Sequence, residues 1–191
     1  DDARKCFEQA LRLNPEDARS HNDLGLLVAA EDPAAAEAHF REAVRIAPSF
    51  ALTYNNWGNL LAEQGRYDEA EAKYQEALRV RPEDELAWHN LAKLAERRGQ
   101  PEKAEEYYRK AMVNNPVNSY IPNDLGWLLL RQGRMDEAVG MFQKALEIDA
   151  ANPLALNNLG IAMLQRGDQE TAVRYFQRAL EAKPAFLYAL N

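Results

Sequence analysis

The sequence predicts an all-α chain, a solenoid of helix-turn-helix repeats, and three observations carry that prediction. The first is a fixed period. Ala10, Ala43, Ala77, Ala111, Ala145 and Ala179 recur at spacings of 33, 34, 34, 34 and 34, and Leu24, Trp57, Leu91, Leu125 and Leu159 at 33, 34, 34 and 34. Such a period marks one supersecondary unit stacked on copies of itself. The second is helical spacing of apolar residues inside each unit, as in Ala3, Phe7, Ala10 and Leu11. The third is punctuation. Gly65, Gly99, Gly133 and Gly167 share one position in the period, where a helix ends in a left-handed residue. Pro15, Pro48, Pro82, Pro116 and Pro184 share another, where proline stops the second helix, and Ala150 is the exception.

With Ala51 as position 1 of a 34-residue unit, the elements follow in order. A half repeat occupies 1–17 and contains a second helix over roughly 2–13 with no first helix before it. Complete repeats occupy 18–50, 51–84, 85–118, 119–152 and 153–186, and 187–191 begin a truncated one, so 1–191 reads as a single array. The first complete repeat is one residue short and lacks the turn glycine, and Pro33 opens its second helix. In the fourth repeat Pro122 replaces the large residue found at position 4 (Tyr54, Trp88, Leu156), which moves the helix start to Ser119 or later. Asn152 is a good N-cap for the helix that Pro153 opens. The chain starts within a repeat and without Met, which predicts a fragment of a longer protein.

Composition narrows the function classes. A net charge of −7 disfavours nucleic acid and anionic membrane surfaces as main partners. The single cysteine, Cys6, excludes an internal disulfide. No apolar run approaches the roughly 18 residues of a membrane span, and no signal-peptide pattern opens the chain; a cytoplasmic protein without membrane insertion is expected, with the alternative that a fragment has lost a targeting segment. His21, His39 and His89 lack metal-ligand spacing, no phosphate-binding glycine loop is present, and the acidic residues follow helix-surface periodicity. No catalytic residue, metal or cofactor is expected.

The repeated residues resemble the tetratricopeptide repeat (TPR) family. The second repeat shows its pattern as Tyr54, Trp57, Gly58, Ala70, Tyr74, Ala77 and Pro82. The third shows it as Trp88, Leu91, Ala92, Ala104, Tyr108, Ala111 and Pro116. The fifth shows it as Leu156, Leu159, Gly160, Ala172, Phe176, Ala179 and Pro184. The resemblance covers the whole chain. It implies a right-handed superhelix whose first helices line a concave groove, and a protein-interaction role rather than catalysis.

Groove positions then carry the candidate site. Positions 5 and 6 read Asn22–Asp23, Asn55–Asn56, His89–Asn90, Asn123–Asp124 and Asn157–Asn158, with Asn191 continuing the series. A carboxamide both donates and accepts, so a row of them either pairs with successive peptide units of an extended ligand or serves hydrogen bonds between repeats. The row at position 6 is similar to the asparagine ladder in the TPR domain of O-GlcNAc transferases, although Asp23 and Asp124 depart from it. Trp127 at position 9, with Tyr120, Leu130, Leu154 and Ile161 on the same face, forms an apolar candidate hot spot. Groove charges of both signs (Lys93, Arg97 and Arg131 against Glu63, Glu96 and Asp124 among them) cancel. The basic clamp by which TPRs hold acidic chaperone tails is missing, since Asn22 and Asp124 stand at two of its positions.

The expected function is a non-catalytic scaffold binding a partner's peptide segment in its groove. Two alternatives are a substrate-recruiting arm of a larger enzyme such as a glycosyltransferase, and self-association through uncapped ends (Phe7 and Leu11 at one, Leu187, Tyr188 and Leu190 at the other).

Overall fold

The computed structural model describes residues 2–183, so Pro184, Phe186, Leu187, Tyr188, Leu190 and Asn191 lie outside the described residues. Regular structure among the described residues is entirely helical: α1 (Asp2–Leu13), α2 (Ala18–Val28), α3 (Pro33–Ile46), α4 (Ala51–Glu63), α5 (Tyr67–Val80), α6 (Glu85–Arg97), α7 (Pro101–Asn114), α8 (Tyr120–Arg131), α9 (Met135–Ile148), α10 (Pro153–Gln165) and α11 (Gln169–Ala182). They form two compact units, Asp1–Arg98 and Gly99–Asn191, whose boundary falls after the first helix of the third predicted repeat. Each unit is an α-solenoid of helix-turn-helix repeats.

Local chemistry sets the helix ends. Asp32 caps α3 by accepting from the Ala35 N–H at 2.9 Å, and Pro33 follows at the first turn. Asn152 caps α10 by accepting from Leu154 N and Ala155 N at 3.0 and 3.1 Å. The helix containing Pro122 starts at Tyr120, which places the proline in the first turn, where its missing N–H has no helical partner to lose. Gly65 ends the turn after α4 at φ +76° with open space around it, so backbone conformation alone demands glycine there.

Packing within a repeat joins position 8 to position 24. At Gly58 an added Cβ would sit 2.5 Å from the Tyr74 ring, and at Gly126 it would sit 2.6 Å from Phe142. The missing side chain is what lets the ring lie flat on the opposing helix. Phe40, Tyr74, Tyr108 and Phe142 are fully or almost fully buried, flanked by buried alanines at positions 20 and 27. Truncating such a ring typically costs about 3–5 kcal/mol.

Repeats are also joined through their turns. Arg66 reaches back to Glu37 at 2.7 Å and Arg134 reaches back to Glu105. Arg98 reaches Glu71 at 2.8 Å and Asp68, and Arg166 reaches Asp136. Every one of these arginines lies in or beside a turn and engages the second helix of the preceding repeat. The α1 half repeat packs beside α2 with Phe7 and Leu11 half-buried and Leu13 exposed.

Candidate groove faces

In the Asp1–Arg98 unit, α4, α5 and α6 line an open cavity of about 220 Å³. Asn59 and Glu63 line it from α4, Tyr74 from α5, and Asn90, Lys93 and Arg97 from α6. These α4 and α6 residues occupy positions 6, 9 and 13, so this face is the predicted groove. The Tyr74 hydroxyl donates to Asn59 Oδ1 at 2.8 Å. Burial pushes the Tyr74 phenol well above its ordinary value, which keeps it a neutral donor. Lys93 forms no ion pair among the described residues, and Arg97 donates only to the Ala62 carbonyl at 3.4 Å. The cavity therefore holds two cations with unused donors beside one carboxylate. Asn59 was absent from the sequence-derived site, and its position 9, shared with Trp127, was the available signal.

The carboxamides do not form one uniform row. Asn56 Nδ2 donates to Asn22 Oδ1 at 2.9 Å, and Asn22 Nδ2 donates to Asp23 Oδ1 at 2.9 Å. The same chain recurs in the Gly99–Asn191 unit. There Asn158 Nδ2 donates to Asn123 Oδ1 at 2.9 Å, and Asn123 Nδ2 donates to Asp124 Oδ1 at 3.2 Å. Asp at position 6 thus has a role the sequence reading did not assign. It accepts from the preceding Asn and turns that Asn's carbonyl toward the next repeat.

Between α4 and α6 the equivalent bond is not made. Position 6 of the second repeat is Asn56 rather than Asp, and Asn55 Nδ2 goes instead to Asp84 Oδ1 at 3.2 Å. Asn55 Oδ1 and Asn90 Nδ2 are both buried and have no hydrogen-bond partner. Leaving such a group unpaired costs about 1–3 kcal/mol. Asn55 is wholly buried, whereas Asn90 is half-buried and lines the cavity.

The groove face of the Gly99–Asn191 unit adds exposed aromatic rings to its polar residues. Tyr120 and Trp127 are 52% and 40% exposed, large values for aromatic rings. Leu154 and Ile161 are half-buried. Leu130 is buried in the core, as is Ala62 at the same position 12 of its repeat. Asn22, Asn55, Asn123 and Asn157 at position 5 are buried, and Asn56 and Asn158 sit at the edge of burial. Among the described residues no three His, Cys, Asp or Glu side chains cluster as metal ligands do, and no helix is long and apolar enough to cross a membrane.

Family models of the tetratricopeptide repeat match residues 1–49 and 49–112. A model of the cilia and flagella-associated protein 70 middle TPR-like domain matches 88–189. Cellulose synthase operon protein C of Xanthomonas axonopodis pv. citri (strain 306) is 41% identical over 68 residues, a stretch covering 36% of this chain and 4% of that protein. YrrB, described as a TPR protein with an unusual peptide-binding site, is similar at 25% identity and a TM-score of 0.64, covering 96% of this chain and 95% of its own. MamA aligns at 19% identity and a TM-score of 0.69 over 91% of this chain and 96% of its own. Yeast Tom70 aligns at 21% identity and a TM-score of 0.84 over 94% of this chain and 39% of its own.

Proposed function

This chain belongs to the tetratricopeptide repeat family, and from that premise we propose that it is a non-catalytic scaffold whose groove faces bind a partner's peptide segment. The observation that carries the reading is Asn90. Its buried Nδ2 has no acceptor, it lines an open cavity, and an extended peptide's carbonyl would supply the missing bond. Lys93 and Arg97 beside it favour further acceptors, whether carbonyl or carboxylate. In the Gly99–Asn191 unit, Tyr120 and Trp127 suit an apolar side chain of a bound peptide, since exposed aromatic rings are common binding anchors. YrrB, similar in fold and described as having a peptide-binding site, supports the class of ligand.

The test is display selection of peptides on the purified chain, followed by fluorescence polarisation. Asn90→Ala should weaken the selected peptides about 2- to 10-fold irrespective of their sequence, as loss of one backbone hydrogen bond does. Failure to select any peptide, or unchanged affinity in both Asn90→Ala and Trp127→Ala, would overturn the reading.

A further inference from the structure

We propose that His21 and His39 form a latch holding a single proton between them, which ties the packing of the first repeat to pH. The two residues stand 18 apart in sequence, on α2 and α3, and their spacing suggests nothing. The fold brings their Nδ1 atoms to 3.0 Å. Their ring centroids are 5.3 Å apart and tilted by 41°, so the rings meet nitrogen to nitrogen rather than face to face. They occupy positions 4 and 23 of the repeat. The corresponding residues in the next repeat are Tyr54 and Lys73, so a titratable contact stands at the edge of the core here.

The proton count follows from the third partner. His21 Nε2 lies 3.2 Å from the Pro15 carbonyl, which only accepts, so Nε2 carries a hydrogen. If His21 is neutral, its Nδ1 lone pair accepts from the Nδ1–H of His39. If His21 is an imidazolium, its Nδ1–H donates to a bare His39 Nδ1. In either case one proton fills the gap. When both rings are charged, two N–H groups and two positive charges face each other at 3.0 Å, and the contact opens.

The charges around the pair do not relieve that repulsion. From α1, Arg4 and Glu8 act on His39, and they pair with each other at 3.0 Å. From α3, Glu42 senses His21 but is held by Arg45 at 2.6 Å. Glu16 in the turn before α2 is also held by Arg45, at 3.0 Å. On α2 itself, Asp17 is engaged by Ser20 and by the Arg19 N–H, and Arg19 and Asp23 are its other charged side chains. Tyr54 and Glu63, the titratable side chains of α4, are not among the groups acting on His39.

Burial and then the charge of His21 hold the His39 imidazole below its ordinary value. The sign follows from linkage. Above about pH 6.5 the ring is neutral folded and unfolded, and the stabilisation is fully present. As pH falls the unfolded chain takes up a proton that the folded pair resists, and stability is lost down to the depressed folded value.

Two measurements on the 191-residue chain test the latch. Imidazole ¹⁵N spectra across a pH titration should show the His39 ring taking up its proton below the ordinary imidazole value. Amide exchange in α1, α2 and α3, corrected for intrinsic rates, should accelerate about tenfold between about pH 7 and 5 relative to α8, α9 and α10. His39→Phe should abolish that acceleration. Two rings titrating independently at the ordinary value would overturn the proposal. So would the same acceleration in His39→Phe, and if that variant does not fold, the wild-type imidazole titration decides alone.

Discussion

The junction between α8 and α10 is closed, and the junction between α4 and α6 is open. In the first, Asn158, Asn123 and Asp124 form an unbroken line of hydrogen bonds. In the second, Asn90 Nδ2 and Asn55 Oδ1, the atoms equivalent to the bonded pair, have no partners. Two positions distinguish the junctions, position 6 (Asp124 against Asn56) and the cap before the following helix (Asn152 against Asp84). Where position 6 is Asp, it fixes the neighbouring carboxamide and the repeats are stitched together. Where position 6 is Asn56, the neighbour turns to the buried cap residue Asp84, and polar groups are left over beside a cavity. The closed junction presents aromatic rings on its groove face and the open one presents amides and cations. Similar helix pairs therefore offer two kinds of surface.

Asp84→Ala should disturb the open junction most. The Asp84 side chain is wholly buried, caps α6 through the Ala87 N–H at 2.9 Å, and accepts from Asn55 and Arg81. Losing the cap and stranding Asn55 Nδ2 should cost about 3 kcal/mol, read as a lower urea midpoint. If stability is unchanged, Asp84 does not hold the junction. Trp127→Ala addresses the closed junction's exposed face. Peptide affinity should fall about 30-fold, near 2 kcal/mol, while stability stays within about 0.5 kcal/mol. A large loss of stability instead would mean the ring serves packing. The smallest effect belongs to Asp124→Ala, which strands the Nδ2 of buried Asn123. It should cost about 1–2 kcal/mol and raise amide exchange in α8 and α10. Unchanged exchange there would show that Asp124 does not orient the chain.

Much of this was legible in the residues. The period, the turn glycines and the prolines placed the helices, including the delayed start of α8 at Tyr120 and the capping of α10 by Asn152. That positions 6, 9 and 13 share one face was legible too, because a 34-residue register carries each face from one repeat to the next. The state of each carboxamide was not. Whether Asn22 faces the groove or its neighbour depends on Asp23 beside it and Asn56 one repeat away, and no single repeat contains that information. Leu130 was misread for a related reason. Position 12 is buried in both Ala62 and Leu130, which the period alone does not reveal. The contact between His21 and His39 was invisible because no other repeat carries histidine at positions 4 and 23, so the period gives no sign of the pair.

The turn arginines have a mechanical consequence. Arg66 to Glu37 and Arg134 to Glu105 each span 29 residues, and Arg98 to Asp68 and Arg166 to Asp136 each span 30. Asn56 to Asn22 spans 34 and Asn158 to Asn123 spans 35. Each of these fasteners reaches back about one repeat, so within either unit tension is borne link by link. Pulled from its ends, such a unit should lengthen like a zip, releasing one repeat at a time, and rewind from whichever link stays closed.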